Sequence, residues 1–182
     1  MKRAVIIIGN GFEDSECLYP FYRLQEAGFS MDVATKGQAP VAGKHGIPMT
    51  PTVDAEAIRA EDYDMAVIPG GHESPDRVRS INNVKQFLQA LNQQGKIVTT
   101  ICHGGWVLAS AGIVNDRQLT CHPNCKDDLV NAGAHYEETA VRVDRNIISS
   151  PHYRHNAEWM RETLEQYEKL NQPATTAAGA ST

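Results

Sequence analysis

Continuous apolar runs alternate with amphipathic stretches along this chain. The run at 4–8, which is rich in β-branched residues, and the run at 64–68 have the length and composition of buried strands, and further strands are predicted at 29–34 and 96–101. Apolar residues recur at helical spacing in the segments 14–25, 83–94, 104–111 and 158–170, and a glycine follows each of the first two. This alternation of strand and helix predicts an α/β fold with a doubly wound, mostly parallel sheet.

The segments between these elements are shorter and less regular. Residues 37–49 predict a loop or hairpin, 124–131 predict a short helix, and later strands are predicted at 119–121, 141–143 and 147–149. The final residues, 172–182, are mainly Ala, Thr, Gly and Ser without periodicity. We therefore expect a single domain over 1–171 and a disordered tail over 172–182.

Composition and charge narrow the class of protein. With 182 residues, 41% of them hydrophobic, the chain is long enough for one domain with a buried core and too short for two ordinary ones. Its 17 basic and 22 acidic residues give a net charge of −5 without a dense basic patch, so neither nucleic acid nor membrane is expected as a partner. The apolar runs are too short for a membrane span or a signal peptide, and we expect a cytoplasmic protein.

Cys102 ends a buried strand in a turn of small residues that opens a helix. This is the context of a nucleophile elbow, although Thr100 replaces the first glycine of the usual G-x-S-x-G motif. A helix N-terminus favours the thiolate form of a cysteine, and an imidazolium at the adjacent His103 would favour it further. We therefore expect Cys102 to be the most reactive of the four cysteines, the others being Cys17, Cys121 and Cys125.

Acidic residues follow the first strand, at the sheet edge where doubly wound folds bind their ligands. Glu13 and Asp14 fit equally well as capping residues of a first helical turn and as site residues. Glu16 is followed by the apolar Cys17, which favours a position turned toward the strand ends. Burial there would raise the pKa of Glu16, so that its protonated carboxyl could donate a hydrogen bond to a thiolate or exchange protons with a substrate.

Two further motifs lie close to strand ends. The Pro-Gly-Gly turn at 69–71 offers backbone N–H groups to an oxyanion at Cys102, and a simple turn is the alternative interpretation. Cys121, His122 and Cys125 have ligand-like spacing, but no second ligand pair accompanies them. We expect no metal and no other cofactor.

Three strings, at 11–16, 69–72 and 101–104, together resemble the DJ-1/ThiJ/PfpI superfamily, a class I glutamine amidotransferase-like group. The segments 43–46 and 126–134 are similar to its PfpI branch. The resemblance extends over nearly the whole predicted domain. It implies a flavodoxin-like sandwich of three layers in which a nucleophile elbow carries the active cysteine, and it implies no cofactor.

The resemblance also implies roles for individual residues, carried over by position. The implied catalytic residues are Cys102 as nucleophile, His103 as its base, Glu16 as the carboxyl hydrogen-bonded to the cysteine, and Asp76, which reaches the Cys–His pair of a neighbouring subunit. Glu73 is a second candidate for the role of Asp76, and the N–H groups of Gly71 and His103 form the oxyanion hole. The residues implied to contact the substrate are Glu13, Gly70 and His122. The active unit is then a homodimer or a higher homo-oligomer.

Three functions share the Cys102 thiol. The first is a cofactor-independent glyoxalase or protein deglycase acting on small reactive carbonyls or on protein side chains modified by them, in stress protection. The second is an intracellular cysteine peptidase whose Cys-His-Asp triad is completed between subunits. The third is a redox sensor without enzymatic activity, in which Cys102 is oxidised beside Glu16. The segment 150–156 replaces the usual Ser-Arg-x-Pro-x-Asp-Leu of the superfamily, a departure that concerns the substrate and not the nucleophile.

Overall fold

Eleven strands and six helices follow one another in the computed structural model, which describes residues 1–172. The strands are β1 (Arg3–Ile7), β2 (Ser30–Thr35), β3 (Val41–Ala42), β4 (Pro48–Met49), β5 (Val53–Asp54), β6 (Met65–Ile68), β7 (Ile97–Ile101), β8 (Gln118–Leu119), β9 (His135–Tyr136), β10 (Arg142–Asp144) and β11 (Ile147–Ser150). The helices are α1 (Asp14–Glu26), α2 (Glu73–Val78), α3 (Asn82–Gln93), α4 (Gly105–Ser110), α5 (Lys126–Asn131) and α6 (Asn156–Asn171). Apart from Gln172, the predicted disordered tail lies outside the described residues.

Seven strands form the central sheet in the order β10-β11-β7-β6-β1-β2-β5. All neighbours pair in parallel except β10 and β11, which form an antiparallel hairpin at one edge. Two short pairs, β3 with β4 and β8 with β9, lie outside this sheet. The prediction of a doubly wound, mostly parallel α/β sheet is confirmed.

Alternate residues of the central strands face opposite sides of the sheet, as the period of two in a strand requires. In β1, Val5 and Ile7 belong to the apolar layer beneath α3, α4 and α5, whereas Ala4 and Ile6 belong to the layer beneath α1 and α6. Trp159 of α6 is fully buried in the second layer. Helices therefore cover both faces of the sheet and make three layers.

Three short elements differ from the sequence expectation: β5, β9 and α2 are additional. Helix α2 is six residues long and contains Pro75, and its buried side chains, Ser74, Pro75 and Val78, do not form a recognisable apolar stripe. A segment of six residues is too short to show a hydrophobic period, so the sequence pattern does not predict this helix. Within residues 1–172, no helix is both long and apolar enough to cross a membrane.

The topology brings three loops together. Strands β7, β6 and β1 are consecutive neighbours in the sheet and run in the same direction. The loops that follow them therefore meet at one edge of the sheet. These loops begin at Ile8, Pro69 and Cys102, so residues that are far apart in sequence become neighbours.

Candidate active site

Cys102 lies in the sharp turn between β7 and α4. Its φ is +58°, a left-handed conformation that residues other than glycine rarely adopt. The turn packs closely against β6 because residue 104 is glycine: a Cβ atom there would lie 2.4 Å from the Ile68 carbonyl oxygen. The turn holds the Cys102 side chain at the edge of the sheet, where it is 9% exposed. This is the strained geometry of a nucleophile elbow.

His103 contacts the thiol directly, with 3.2 Å between Cys102 Sγ and His103 Nδ1. Burial and the neighbouring imidazoles of His122 and His72 lower the pKa of His103 to about 4. The sequence predicts an imidazolium beside the thiol, and this expectation is wrong for the single chain, because the ring is uncharged at neutral pH. Burial also raises the pKa of the Cys102 thiol. The pair is therefore a thiol beside a neutral imidazole that can accept a proton.

Glu16 is fully buried in the first turn of α1, against the same thiol. The Gly70 N–H donates to Glu16 Oε2 over 2.8 Å, whereas Oε1 is buried and has no hydrogen-bond partner among the described residues. Burial raises the pKa of Glu16 to about 8, so the carboxyl is protonated at neutral pH. A protonated carboxyl donates a hydrogen bond and adds no negative charge next to the sulfur.

Two backbone N–H groups, those of Gly71 and His103, donate hydrogen bonds to the Cys102 sulfur and lower its pKa against the effect of burial. Gly71 has a φ of +76°, and a Cβ atom on it would lie 2.4 Å from the Gly11 carbonyl oxygen. Only glycine permits this approach. The Gly70 N–H donates to Glu16, and the contact between Gly70 and the substrate stays a prediction.

Glu13 and Lys44 form an ion pair at the rim of the site. Lys44 is carried by the loop between β3 and β4, and Asp14 fixes that loop by accepting the N–H groups of His45 and Ile47 over 2.9 and 3.0 Å. Glu13 thus lies where the sequence places it, whereas the position of Lys44 beside it was not predicted. The only sequence signal for Lys44 is the Gly-Lys-His-Gly string at 43–46.

Imidazoles extend from Cys102 toward the surface. The rings of His103 and His122 are stacked, with centroids 4.4 Å apart and planes at 24°. His152 follows at 6.5 Å from His122, and His72 lies 6.2 Å from His103 on the other side. Burial lowers the pKa of His122 and of His152. His122 was expected here; His152 could have been found because it follows the carboxyl end of β11.

A small cavity of 110 Å³, the Cys102 cavity, joins these groups. Its lining consists of Glu13, Glu16, Lys44, Gly71, His72, Cys102, His103, His122, His152 and Tyr153. Asp76 and Glu73 lie outside it, on the exposed face of α2, and Glu73 is paired with Arg77. The trans role expected for Asp76 therefore stays a prediction about a neighbouring subunit.

Potential metal ligands gather away from the Cys121–His122–Cys125 motif, for which the sequence analysis predicts no metal. Among residues 1–172, the group of three or more ligand atoms within 4.8 Å of one another is Glu13, Asp14 and His45, and not the Cys121–His122–Cys125 motif. Lys44 already pairs with Glu13, and Asp14 already accepts two backbone N–H groups. Both carboxylates therefore already have hydrogen-bond or ion-pair partners within the protein.

A family model described as the DJ-1/PfpI family matches residues 2–166. The chain belongs to the DJ-1/PfpI family. This confirms the resemblance that the strings at 11–16, 69–72 and 101–104 indicate, and it places the Cys102 turn, the Glu16 helix and the Gly71 loop within the matched region.

Relatives of this DJ-1/PfpI chain carry two kinds of name. It is 34% identical over 163 residues to the deglycase PfpI of Pyrococcus furiosus, covering 90% of this chain and 98% of that protein. It is 33% identical over 150 residues to YraA of Bacillus subtilis, whose name proposes a cysteine protease, with 82% and 88% covered. A crystal structure of a two-domain protein from Anabaena variabilis, with DJ-1/ThiJ/PfpI-like and ferritin-like domains, superposes with a TM-score of 0.89 at 30% identity, over 99% of this chain and 52% of that chain.

Proposed function

We propose that the protein is a cofactor-independent cysteine enzyme that converts small 2-oxoaldehydes, or their adducts with thiols and amines, to 2-hydroxy acids. The observation that carries this proposal is the Cys102 thiol in a cavity of 110 Å³ that it shares with the protonated carboxyl of Glu16, with a neutral imidazole 3.2 Å from the sulfur. A cavity of this size suits a molecule of a few carbon atoms.

The first step is addition of Cys102 to the aldehyde carbon. The Sγ–C bond forms while the thiol proton moves to Nδ1 of His103, which is unprotonated at neutral pH because its pKa is lowered to about 4. The N–H groups of Gly71 and His103 stabilise the oxyanion. When the substrate is an adduct, Cys102 replaces the carrier at the same carbon. The Sγ–C bond forms, the bond from that carbon to the carrier thiol or amine breaks, and the carrier takes up the proton that His103 accepted from Cys102.

The second step is an internal oxidation and reduction. The proton on the former aldehyde carbon is removed and returned to the adjacent carbonyl carbon, so the first carbon becomes a thioester and the second an alcohol. Glu16 and His122 line the cavity and are the groups proposed to carry this proton. Water then hydrolyses the thioester, which releases the 2-hydroxy acid and restores the thiol. One water is consumed, and no external oxidant is needed.

Relatives support this reading of the site. The deglycase PfpI of Pyrococcus furiosus is covered over 98% of its length, which supports a deglycase activity for this chain. Methylglyoxal consumption with formation of lactate tests it directly, with Cys102→Ser as the control. Absence of consumption by the wild-type protein at any pH between about 6 and 9 contradicts the proposal.

A cysteine peptidase is the second candidate, and the name of YraA is the observation that favours it. A peptidase would need Asp76 from a neighbouring subunit to complete a triad with Cys102 and His103. The Asp76 side chain is exposed on α2 and makes no hydrogen bond or ion pair within residues 1–172, so it is free to serve such a partner. Hydrolysis of an unstructured fluorogenic peptide, lost in Cys102→Ser, would favour the peptidase over the carbonyl enzyme.

A further inference from the structure

Trp106 contacts the His103 ring from outside the Cys102 cavity. It is the second residue of α4 and is partly buried, whereas Trp159, the other tryptophan of the chain, is fully buried in the core. The indole is not among the side chains that line the Cys102 cavity, so a contact with substrate does not explain its position. Its role is therefore sought in its effect on neighbouring side chains.

The His103 ring packs against two other rings. Its centroid lies 5.0 Å from the Trp106 ring, with the planes at 72°, which is an edge-to-face arrangement. The centroid lies 4.4 Å from that of the stacked His122 ring. The third contact joins His103 Nδ1 to Cys102 Sγ over 3.2 Å. Two rings and one sulfur atom thus surround the imidazole.

Neighbouring elements hold the indole itself in place. Its Nε1–H donates to Asp128 Oδ2 of α5 over 2.8 Å. The guanidinium of Arg79, the residue that follows α2, lies 5.7 Å from the centroid of the indole, within the range of a cation–π interaction. Arg79 Nε in turn donates to Ser110 Oγ at the end of α4 over 2.9 Å. The position of Trp106 is therefore fixed independently of His103.

A histidine at this position needs packing partners, because its ring can rotate about two bonds. Rotation about either Cα–Cβ or Cβ–Cγ moves Nδ1 of His103 away from the sulfur. A hydrogen bond to a thiol, which is a weak donor, does little to prevent this rotation. Contact with a fixed neighbour selects one rotamer and keeps the reactive geometry formed before a substrate arrives.

We propose that Trp106 is a positioning residue for His103: together with His122, its indole fixes the imidazole in the orientation in which Nδ1 contacts the Cys102 thiol. Asp128 acts one step further away, since its carboxylate anchors the indole. The inference goes beyond the proposed function, because it concerns the thiol–imidazole pair itself. It applies to a carbonyl enzyme and to a peptidase alike.

Trp106 also shields the His103 ring from water. Burial is the largest cause of the low pKa of His103, and the indole covers part of the ring. Arg79 and Asp128 contact the indole from other sides. The titratable and charged groups that face the imidazole are Cys102, His122, His72 and Lys44. A substitution at 106 leaves all of these groups in the chain, so a change in the pKa of His103 reports the loss of shielding.

Alkylation of Cys102 and ionisation of His103 test the proposal without a substrate. Trp106→Ala removes the indole, and we expect the rate of Cys102 alkylation by iodoacetamide at pH 7 to fall about tenfold. The pKa of His103 should rise from about 4 by at least about one unit, toward the value of about 6.5 of a solvated imidazole. NMR titration of the ring protons measures it, with His103→Gln to assign the signals. Trp106→Phe keeps an aromatic ring and should alkylate within about threefold of the wild-type rate.

Asp128→Ala is the second variant, because it removes the anchor of the indole and leaves the indole in the chain. Asp127→Ala is its matched control, since Asp127 is the neighbouring exposed acid of α5. We expect Asp128→Ala to lower the alkylation rate about threefold and Asp127→Ala to leave it unchanged. Thermal unfolding followed by circular dichroism identifies the variants that are folded under the assay conditions.

A purely structural role for Trp106 predicts lower stability with an unchanged thiol–imidazole pair. Either a wild-type alkylation rate or a wild-type pKa of His103 in folded Trp106→Ala would therefore overturn the proposal. If that variant does not fold, equal alkylation rates in Asp128→Ala and Asp127→Ala overturn it. A protein that shows the expected changes but consumes no methylglyoxal loses the proposed function and keeps the positioning role of Trp106.

Discussion

Cys102 and Glu16 are two buried acids that line the same cavity, and burial raises the pKa of each. Protonated Glu16 adds no charge beside the sulfur, and the neutral ring of His103 is available as a proton acceptor. The thiol is therefore best activated during attack, by transfer of its proton to His103, and not by a standing ion pair with an imidazolium. Accessibility then decides which cysteine reacts first.

Cys102 should be the first of the four thiols to be alkylated. Cys17, Cys121 and Cys125 are buried in the core, whereas Cys102 lines a cavity that is open to solvent. Limited treatment with iodoacetamide at neutral pH, followed by peptide mass mapping, measures the order of modification. Cys102→Ser protein should remain almost unmodified under the same conditions. Faster labelling of Cys17 or Cys125 in the wild type would contradict the assignment of the elbow.

Glu16 should make the protein less stable as the pH rises. Its pKa is about 8 in the folded protein, above the value of about 4.3 in an unfolded chain, so the folded state binds more protons between these values. Stability contributed by the protonated carboxyl is fully present below the unfolded pKa and is lost as the pH rises through the folded pKa. Glu16→Gln keeps the size and the acceptor for the Gly70 N–H but does not titrate.

Urea unfolding at two pH values checks this linkage. Between about pH 5.5 and pH 7.5, the free energy of unfolding of the wild type should fall relative to that of Glu16→Gln by about 2 kcal/mol. Glu165→Gln, at an exposed position of α6, is the matched control and should follow the wild type. Parallel pH profiles for wild type and Glu16→Gln would show that Glu16 ionises normally.

At the scale of elements, the loop after β6 is pressed against the elbow after β7. Gly70 separates the two, and a Cβ atom there would lie 2.5 Å from Glu16 Oε2 and 2.6 Å from the Cys102 Cβ. The φ of Gly70 is not in the left-handed region, so alanine is excluded by space and not by backbone conformation. The close approach of strand ends is what brings the carboxyl and the thiol together.

Gly70→Ala should therefore displace Glu16 or Cys102 and reduce the alkylation rate of Cys102 at least about tenfold, with a loss of about 1–3 kcal/mol in stability from overpacking. Gly28→Ala is a useful control, since its cost comes from a φ of +86° in open space. It should lower stability by about 1 kcal/mol and leave Cys102 alkylation unchanged. An unchanged alkylation rate in folded Gly70→Ala would show that the loop can retreat from the elbow.

At the scale of the whole molecule, the central sheet aligns three loops into one site but leaves Asp76 outside it. Asp76 lies on α2 with its carboxylate exposed and unpaired within residues 1–172. A carboxylate supplied by a second copy would contact His103 and raise its low pKa, which would then favour the thiolate. The proposed oligomer thus has a chemical consequence that a single chain does not provide.

Mixing two inactive variants should restore activity if Asp76 acts across subunits. Asp76→Asn and Cys102→Ser chains together form mixed assemblies in which an intact Cys102 meets an intact Asp76, with recovery up to about a quarter of wild-type activity for a randomly mixed dimer. Methylglyoxal consumption after subunit exchange is the readout. Asp127→Asn, an exposed acid on α5, is the control and should stay active on its own. No recovery despite demonstrated exchange would contradict the trans role; Glu73→Gln, tested in the same way, examines the second candidate.

The sequence by itself determined the sheet, the elbow and the family. Apolar runs such as 4–8 and 96–101 can bury their side chains and hydrogen-bond their backbone at the same time in a parallel sheet that is covered on both faces. Their pattern therefore predicts such a sheet. The Cys102 turn could be predicted for the same reason: a strand end, small residues and a helix start follow one another within a few positions. Short elements such as α2 and β9 could not, because two to six residues carry no period.

Only the tertiary structure decided the protonation of His103 and which side chains surround the Cys102 thiol. Whether His103 is protonated depends on its burial and on His122 and His72, which lie 19 and 31 positions away in the chain. Lys44 joins the site because Asp14 fixes its loop, and His152 joins it because β11 ends beside β7 at the same edge of the sheet. Desolvation and proximity are properties of the folded packing, and a sequence pattern records neither of them.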